Sequence, residues 1–145
     1  MTVGSFKTKT KYIFFVHNLV VIIDDDPISV LVCETMLRKS DFTEKIKTFN
    51  NAQDALTFFD RHYAESNEMP DFIFLDIQMP EMSGWDFMEA YNQFNHIPVR
   101  TPHVVMLSAT FNPDDQKKAN SDNLIISFIS KPITKEALQN LSISK

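Results

Sequence analysis

Five side chains able to do chemistry stand directly behind apolar runs: Asp24, Asp25, Asp76, Ser108 and Lys131. Asp24 and Asp25 follow Leu19-Val20-Val21-Ile22-Ile23, and Asp76 follows Phe72-Ile73-Phe74-Leu75. Ser108 follows His103-Val104-Val105-Met106-Leu107, and Lys131 comes just after Leu124-Ile125-Ile126-Ser127-Phe128-Ile129. If these runs are parallel strands of one open sheet, all five side chains share the rim where such sheets bind ligands. Three carboxylates gathered there repel one another and raise each other's pKa unless a cation joins them. An all-oxygen donor set suits a hard divalent ion such as Mg²⁺. One cysteine, Cys33, and four scattered histidines offer no zinc set. A lysine and a hydroxyl beside carboxylates and Mg²⁺ suit phosphoryl transfer, because cation and donor both meet phosphoryl oxygens. An Asp carboxylate can then act as the nucleophile and become an aspartyl phosphate.

The elements that must position these residues are legible from patterning. The continuous β-branched run before Asp24 is what a strand buried on both faces requires. Asp26-Pro27 reads as an N-cap followed by proline at the first helical position, opening a helix to about Lys39. Ile28, Leu31, Val32, Thr35 and Met36 recur there at helical spacing. A short strand over 45–49 precedes a helix capped by Asn51, with Ala52, Ala55, Leu56 and Phe59 on one face. Ser83-Gly84-Trp85-Asp86 has the form of a capping box, and Phe87, Met88, Tyr91 and Phe94 follow it. Asn112-Pro113 starts a short fourth helix, and Thr134 caps a fifth. Five strands alternating with five helices predict one doubly wound α/β domain.

Composition agrees. The 145 residues could bury roughly 70% of their unfolded surface, so neither a disulfide nor a structural metal is needed for folding. Fourteen Lys+Arg against nineteen Asp+Glu give a net charge of −5, which argues against direct nucleic-acid binding. Residues 1–17 read as an N-terminal extension and 18–145 as the domain. Lys7, Lys9 and Lys11 before an apolar stretch imitate a signal peptide, but no small-residue cleavage site follows. The stretch is also shorter than the about 20 residues of a membrane span, so no membrane insertion and a cytoplasmic location are expected.

In order, Ile23-Asp24-Asp25-Asp26-Pro27, Phe74-Leu75-Asp76-Ile77-Gln78-Met79-Pro80-Glu81-Met82-Ser83-Gly84, Met106-Leu107-Ser108-Ala109 and Ser130-Lys131-Pro132 resemble the receiver domain of two-component response regulators. The resemblance implies a flavodoxin-like strand order 2-1-3-4-5 and a phosphorelay switch. Asp76 would accept the phosphoryl group from a histidine kinase or histidine phosphotransfer protein. Asp25 would bind Mg²⁺ directly, Asp24 mainly through water, and Gln78 through its backbone carbonyl. Ser108 and Lys131 would meet the phosphoryl oxygens, and Phe128 would be the aromatic switch position. Asp26, Pro80, Gly84 and Pro132 are given structural parts, with the Lys131–Pro132 bond often cis in the family.

The implied protein is a stand-alone signalling module whose output is contact with a downstream protein, and not a turnover enzyme. A pseudo-receiver scaffold is the alternative, although both the acceptor Asp and the Lys are present. A Mg²⁺-dependent phosphohydrolase or flavodoxin-like nucleotide binder stands further off, since a flavin site needs a Ser/Thr/Gly-rich phosphate loop where three aspartates stand. Plainer roles compete at single positions. Asp26 is better explained as an N-cap than a ligand, Cys33 as a small buried side chain, and Phe128 has a rival reading as a packing aromatic.

Overall fold

The computed structural model describes residues 17–144. The expectations for residues 1–16, including Lys7, Lys9 and Lys11, lie outside the described residues. The elements run β1 (Val20–Ile23), α1 (Pro27–Lys39), β2 (Ile46–Phe49), α2 (Ala52–His62), β3 (Phe72–Asp76), α3 (Gly84–Asn92), β4 (His103–Ser108), α4 (Pro113–Asn120), β5 (Ile125–Ser130) and α5 (Lys135–Ser144). All pairings are parallel, in the order β2-β1-β3-β4-β5. The expected 2-1-3-4-5 order is therefore observed.

Local chemistry explains where each helix starts. Asp26 accepts the Ile28 N–H at 3.0 Å and Asn51 accepts that of Asp54 at 2.8 Å. Ser83 and Asp86 form the reciprocal capping box, Asn112 accepts from Asp114, and Thr134 accepts from Ala137. Each cap satisfies a backbone donor that the first helical turn leaves without a partner.

Side chains alternate across the sheet and build two cores. Val21, Ile23, Ile73, Leu75 and Met106 meet Phe59 and Phe87 on the face covered by α2 and α3. Val20, Ile22, Phe74, Val105 and Leu107 meet Cys33, Leu37 and Leu138 on the face covered by α1 and α5. Burial of a Phe or Leu side chain is worth about 1.5–3 kcal/mol, so these layers dominate the stability. His17, the last residue of the expected extension, is buried and bridges in parallel to Thr43.

The apolar spacing read in α1 needs correction. Cys33 and Leu37 are its buried residues, with Val30 and Met36 packed beside them. Ile28 is 72% and Leu31 63% exposed. Helix α1 carries apolar residues around much of its circumference, so spacing alone does not select the face that meets the sheet. Phe94 also falls just beyond α3, which ends at Asn92, although it still packs against the first core. Among the described residues, no helix is long and apolar enough to cross a membrane.

Candidate functional site

Strand register gathers the rim. Ile23 pairs with Leu75, so Asp24 and Asp76 emerge side by side from β1 and β3. Asp76 pairs with Leu107, and Ser108 pairs with Ser130, which brings the start of the β5–α5 loop alongside. The Lys131 N–H donates to the Ser108 carbonyl at 2.8 Å and anchors that loop to β4. Of the five side chains expected on one rim, Asp24, Asp25, Asp76 and Lys131 come together there, while Ser108 ends the neighbouring strand with its hydroxyl turned to Thr110. One carboxylate oxygen from each of Asp24, Asp25 and Asp76 lies within 4.8 Å of the others.

Asp24 is almost fully buried and both its oxygens are engaged. Oδ1 accepts the Asp26 N–H at 2.9 Å, and Oδ2 pairs with Lys131 Nζ at 2.9 Å. Asp25 is exposed, with its carboxylate free to face solvent or an ion. Lys131 Nζ also lies 3.1 Å from Asp76 Oδ1 and 3.4 Å from Ser29 Oγ. Burial, and then the Asp24 charge, push the Asp76 carboxyl up to about 6, against the pull of Lys131. Burial would lower the Lys131 pKa, but the hydrogen bond and charge of Asp24, with Asp76 behind it, hold it above the ordinary lysine range. Among the described residues, three carboxylates thus gather where one ammonium, Lys131, pairs with two of them, and an oxygen-only pocket with surplus negative charge fits a hard divalent cation.

The loop after β3 is shaped by close backbone approach. A Cβ at Gly84 would sit 2.5 Å from the Asp76 carbonyl oxygen and 3.0 Å from Ile77 Cα. Glycine there lets α3 start against the strand end, and its N–H donates to the Ile77 carbonyl at 2.9 Å. Pro80 precedes Glu81, whose φ of 68° turns the loop through the left-handed region. The Gln78 side chain is exposed, while its backbone near the Asp76 carboxylate helps to hold that group's pKa down. The Lys131–Pro132 bond is cis.

Ser108 is buried, and its hydroxyl donates to the Thr110 carbonyl at 2.5 Å while accepting the Thr110 N–H at 3.2 Å. Phe128 is half-buried, pairs with Met106 in the sheet and packs against the first core. Asp26 spends its carboxylate on the start of α1, accepting from Ile28 N–H and the Ser29 hydroxyl, each at 3.0 Å. The Ile28 N–H, then the Ser29 hydroxyl, hold its pKa below the usual value. Ser29 is the site neighbour that sequence reasoning missed. Its signal was its place three residues after an N-cap Asp, where a side chain turns back toward the cap.

The response regulator receiver domain model matches residues 20–142. The two-component response regulator ORR22 of Oryza sativa is 28% identical over 128 residues, covering 88% of this chain and 17% of that protein. The sensor histidine kinase GacS of Pseudomonas protegens is 27% identical over 119 residues, covering 82% of this chain and 12% of that protein. This chain thus spans less than a fifth of the length of either relative. Among solved structures, a two-component response regulator from Cytophaga hutchinsonii superposes with a TM-score of 0.79 at 28% identity, covering 89% and 98% of the two chains. A response regulator receiver protein from Dyadobacter fermentans reaches 0.69 at 31% identity, covering 85% and 93%.

Proposed function

The chain belongs to the response-regulator receiver family, and from that premise we propose that Asp76 is its phosphoacceptor in a Mg²⁺-dependent switch. The observation that carries this reading is the contact of Asp76 with Lys131 inside the three-carboxylate cluster. A receiver acts on itself: it takes and loses its own phosphoryl group, without turnover of a separate substrate.

An Asp76 carboxylate oxygen attacks the phosphorus of the donor. With a phosphohistidine donor from a kinase or phosphotransfer protein, the P–N bond breaks and the imidazole leaves with the bonding pair. With acetyl phosphate, a P–O bond breaks and acetate leaves. A pKa of about 6 keeps Asp76 mainly anionic, and so nucleophilic, at neutral pH. Asp24, Asp25, Asp76 and the Gln78 carbonyl are the groups that would hold Mg²⁺. When bound, that ion supplies charge neutralisation for the phosphoryl oxygens. Lys131, already beside Asp76, turns one N–H to a phosphoryl oxygen.

Phosphorylation replaces the single negative charge of the Asp76 carboxylate with roughly two on the phosphoryl group and brings three acceptor oxygens. For Ser108 to donate to one of them, its hydroxyl must release the Thr110 carbonyl that it now holds. That rearranges the β4–α4 loop, and Phe128 moves into the space vacated. The surface formed by α4, β5 and α5 then differs between two states a few kcal/mol apart, and a downstream protein reads the difference.

The test is intact mass after incubation with Mg²⁺ and acetyl phosphate. Wild type should gain one phosphoryl group that Asp76→Ala does not. Equal gain in both, or none in wild type, overturns the assignment.

A further inference from the structure

Lysine 131 brings three N–H donors and no acceptor to the site. Its three neighbours come from separate elements: Asp24 Oδ2 at 2.9 Å after β1, Asp76 Oδ1 at 3.1 Å on β3, and Ser29 Oγ at 3.4 Å on α1. The Ser29 hydroxyl donates its only proton to Asp26 Oδ2 at 3.0 Å, so only lone pairs are left to face the ammonium. Asp26 in turn is fixed by its Oδ1, which accepts the Ile28 N–H, and by its own N–H, which donates to Asp24 Oδ1 at 2.9 Å. A closed hydrogen-bonded circuit therefore runs Lys131–Asp24–Asp26–Ser29–Lys131.

We propose that Ser29, oriented by Asp26, is a positioning residue for Lys131 in phosphoryl transfer. The proposal rests on the reading of Asp76 as phosphoacceptor. When that carboxylate is esterified, Lys131 must turn an N–H from Asp76 to a phosphoryl oxygen. Asp24 alone would leave the flexible four-carbon stem free to swing about a single contact. Ser29 supplies a second, neutral anchor from α1, which holds the ammonium over the reacting atoms without competing for its charge. The third aspartate thereby acquires a role beyond capping, because its second oxygen decides which way the Ser29 hydroxyl points.

The test follows phosphorylation of the full chain by acetyl phosphate and Mg²⁺ using intact mass, together with the NMR signal of the Lys131 ammonium group. Ser29→Ala should slow phosphorylation by about three- to tenfold, the net worth of one ordinary hydrogen bond, since the 3.4 Å contact is long for a charge-assisted one. It should also speed proton exchange at the Lys131 ammonium. Ser29→Thr, which keeps the hydroxyl, should restore both. Asp26→Asn keeps an oxygen for the Ile28 cap but offers N–H in place of the oxygen that takes the Ser29 proton. It should therefore reproduce the Ser29→Ala behaviour in a folded protein. Unchanged rates in Ser29→Ala, or slow rates with an unchanged ammonium signal, would overturn the proposal. A wild type that takes no phosphoryl group would overturn the phosphoacceptor reading instead, and the ammonium signal would still decide the Ser29 contact.

Discussion

Replacing Asp76 by Asn should stabilise the metal-free protein. Burial and the Asp24 charge raise the Asp76 pKa from 3.8 to about 6. The folded state therefore holds this proton more tightly than the unfolded chain. The associated stability is fully present below 3.8 and is lost as pH rises through about 6. Two pKa units correspond to about 3 kcal/mol lost by neutral pH. Asn has nearly the same shape, carries no charge, and can still accept from Lys131 through its amide oxygen. Part of the gain is forfeited with the ion pair, so a net stabilisation of roughly 1–3 kcal/mol at neutral pH is expected. Urea unfolding in EDTA, followed by Trp85 fluorescence between pH 4 and pH 8, gives the measurement. Wild type should lose stability across that interval, whereas Asp76→Asn should show a shallower slope. Saturating Mg²⁺ should stabilise wild type far more than the variant, because a ligand that binds only the folded state adds its binding free energy. A variant no more stable than wild type in EDTA at neutral pH, or one with the same pH slope, would show that Asp76 is not strained by its neighbours.

Lys131→Ala leaves Asp24 and Asp76 without their ammonium, and should cost roughly 2–4 kcal/mol in EDTA. Mg²⁺ should recover part of that loss, and isothermal titration should find tighter Mg²⁺ binding than in wild type. Gly84→Ala drives a Cβ to 2.5 Å from the Asp76 carbonyl oxygen, and since backbone cannot yield as a side chain can, a loss of about 1–3 kcal/mol is expected in chemical denaturation. Helix α4 buries only Ala119 and is tied to α3 by polar contacts, Trp85 Nε1 to Asp115 Oδ1 at 2.9 Å on the helix and Asn92 Nδ2 to Asp122 Oδ2 at 3.0 Å just beyond its end. Its amides should exchange hydrogen faster than those of α3, and Trp85→Phe should accelerate α4 further while leaving α1 unchanged.

Local signals account for most of the architecture. Capping residues, β-branched runs and turn prolines act within a few residues, so Asp26, Asn51, Ser83, Asn112 and Thr134 announce helix starts wherever the helices pack. The rim was legible because parallel α/β sheets expose their strand ends at one edge, and Asp24, Asp25, Asp76, Ser108 and Lys131 each end or follow an apolar run. The inward face of α1 was not legible. Ile28 and Leu31 are as apolar as Leu37, and only the sheet beneath decides which of them meets it.

The residue order of this chain is enough to specify five strands, five helices and an acidic rim with one lysine, because these follow from patterns repeated over short stretches. Folding adds the relations between residues more than fifty positions apart. Lys131 lies between Asp24, Asp76 and Ser29 because sheet register and the packing of α1 bring three chain segments within hydrogen-bond reach. Gly84 is required by how closely α3 approaches the end of β3. Such distances depend on how whole layers settle on one another, and no local spacing encodes them.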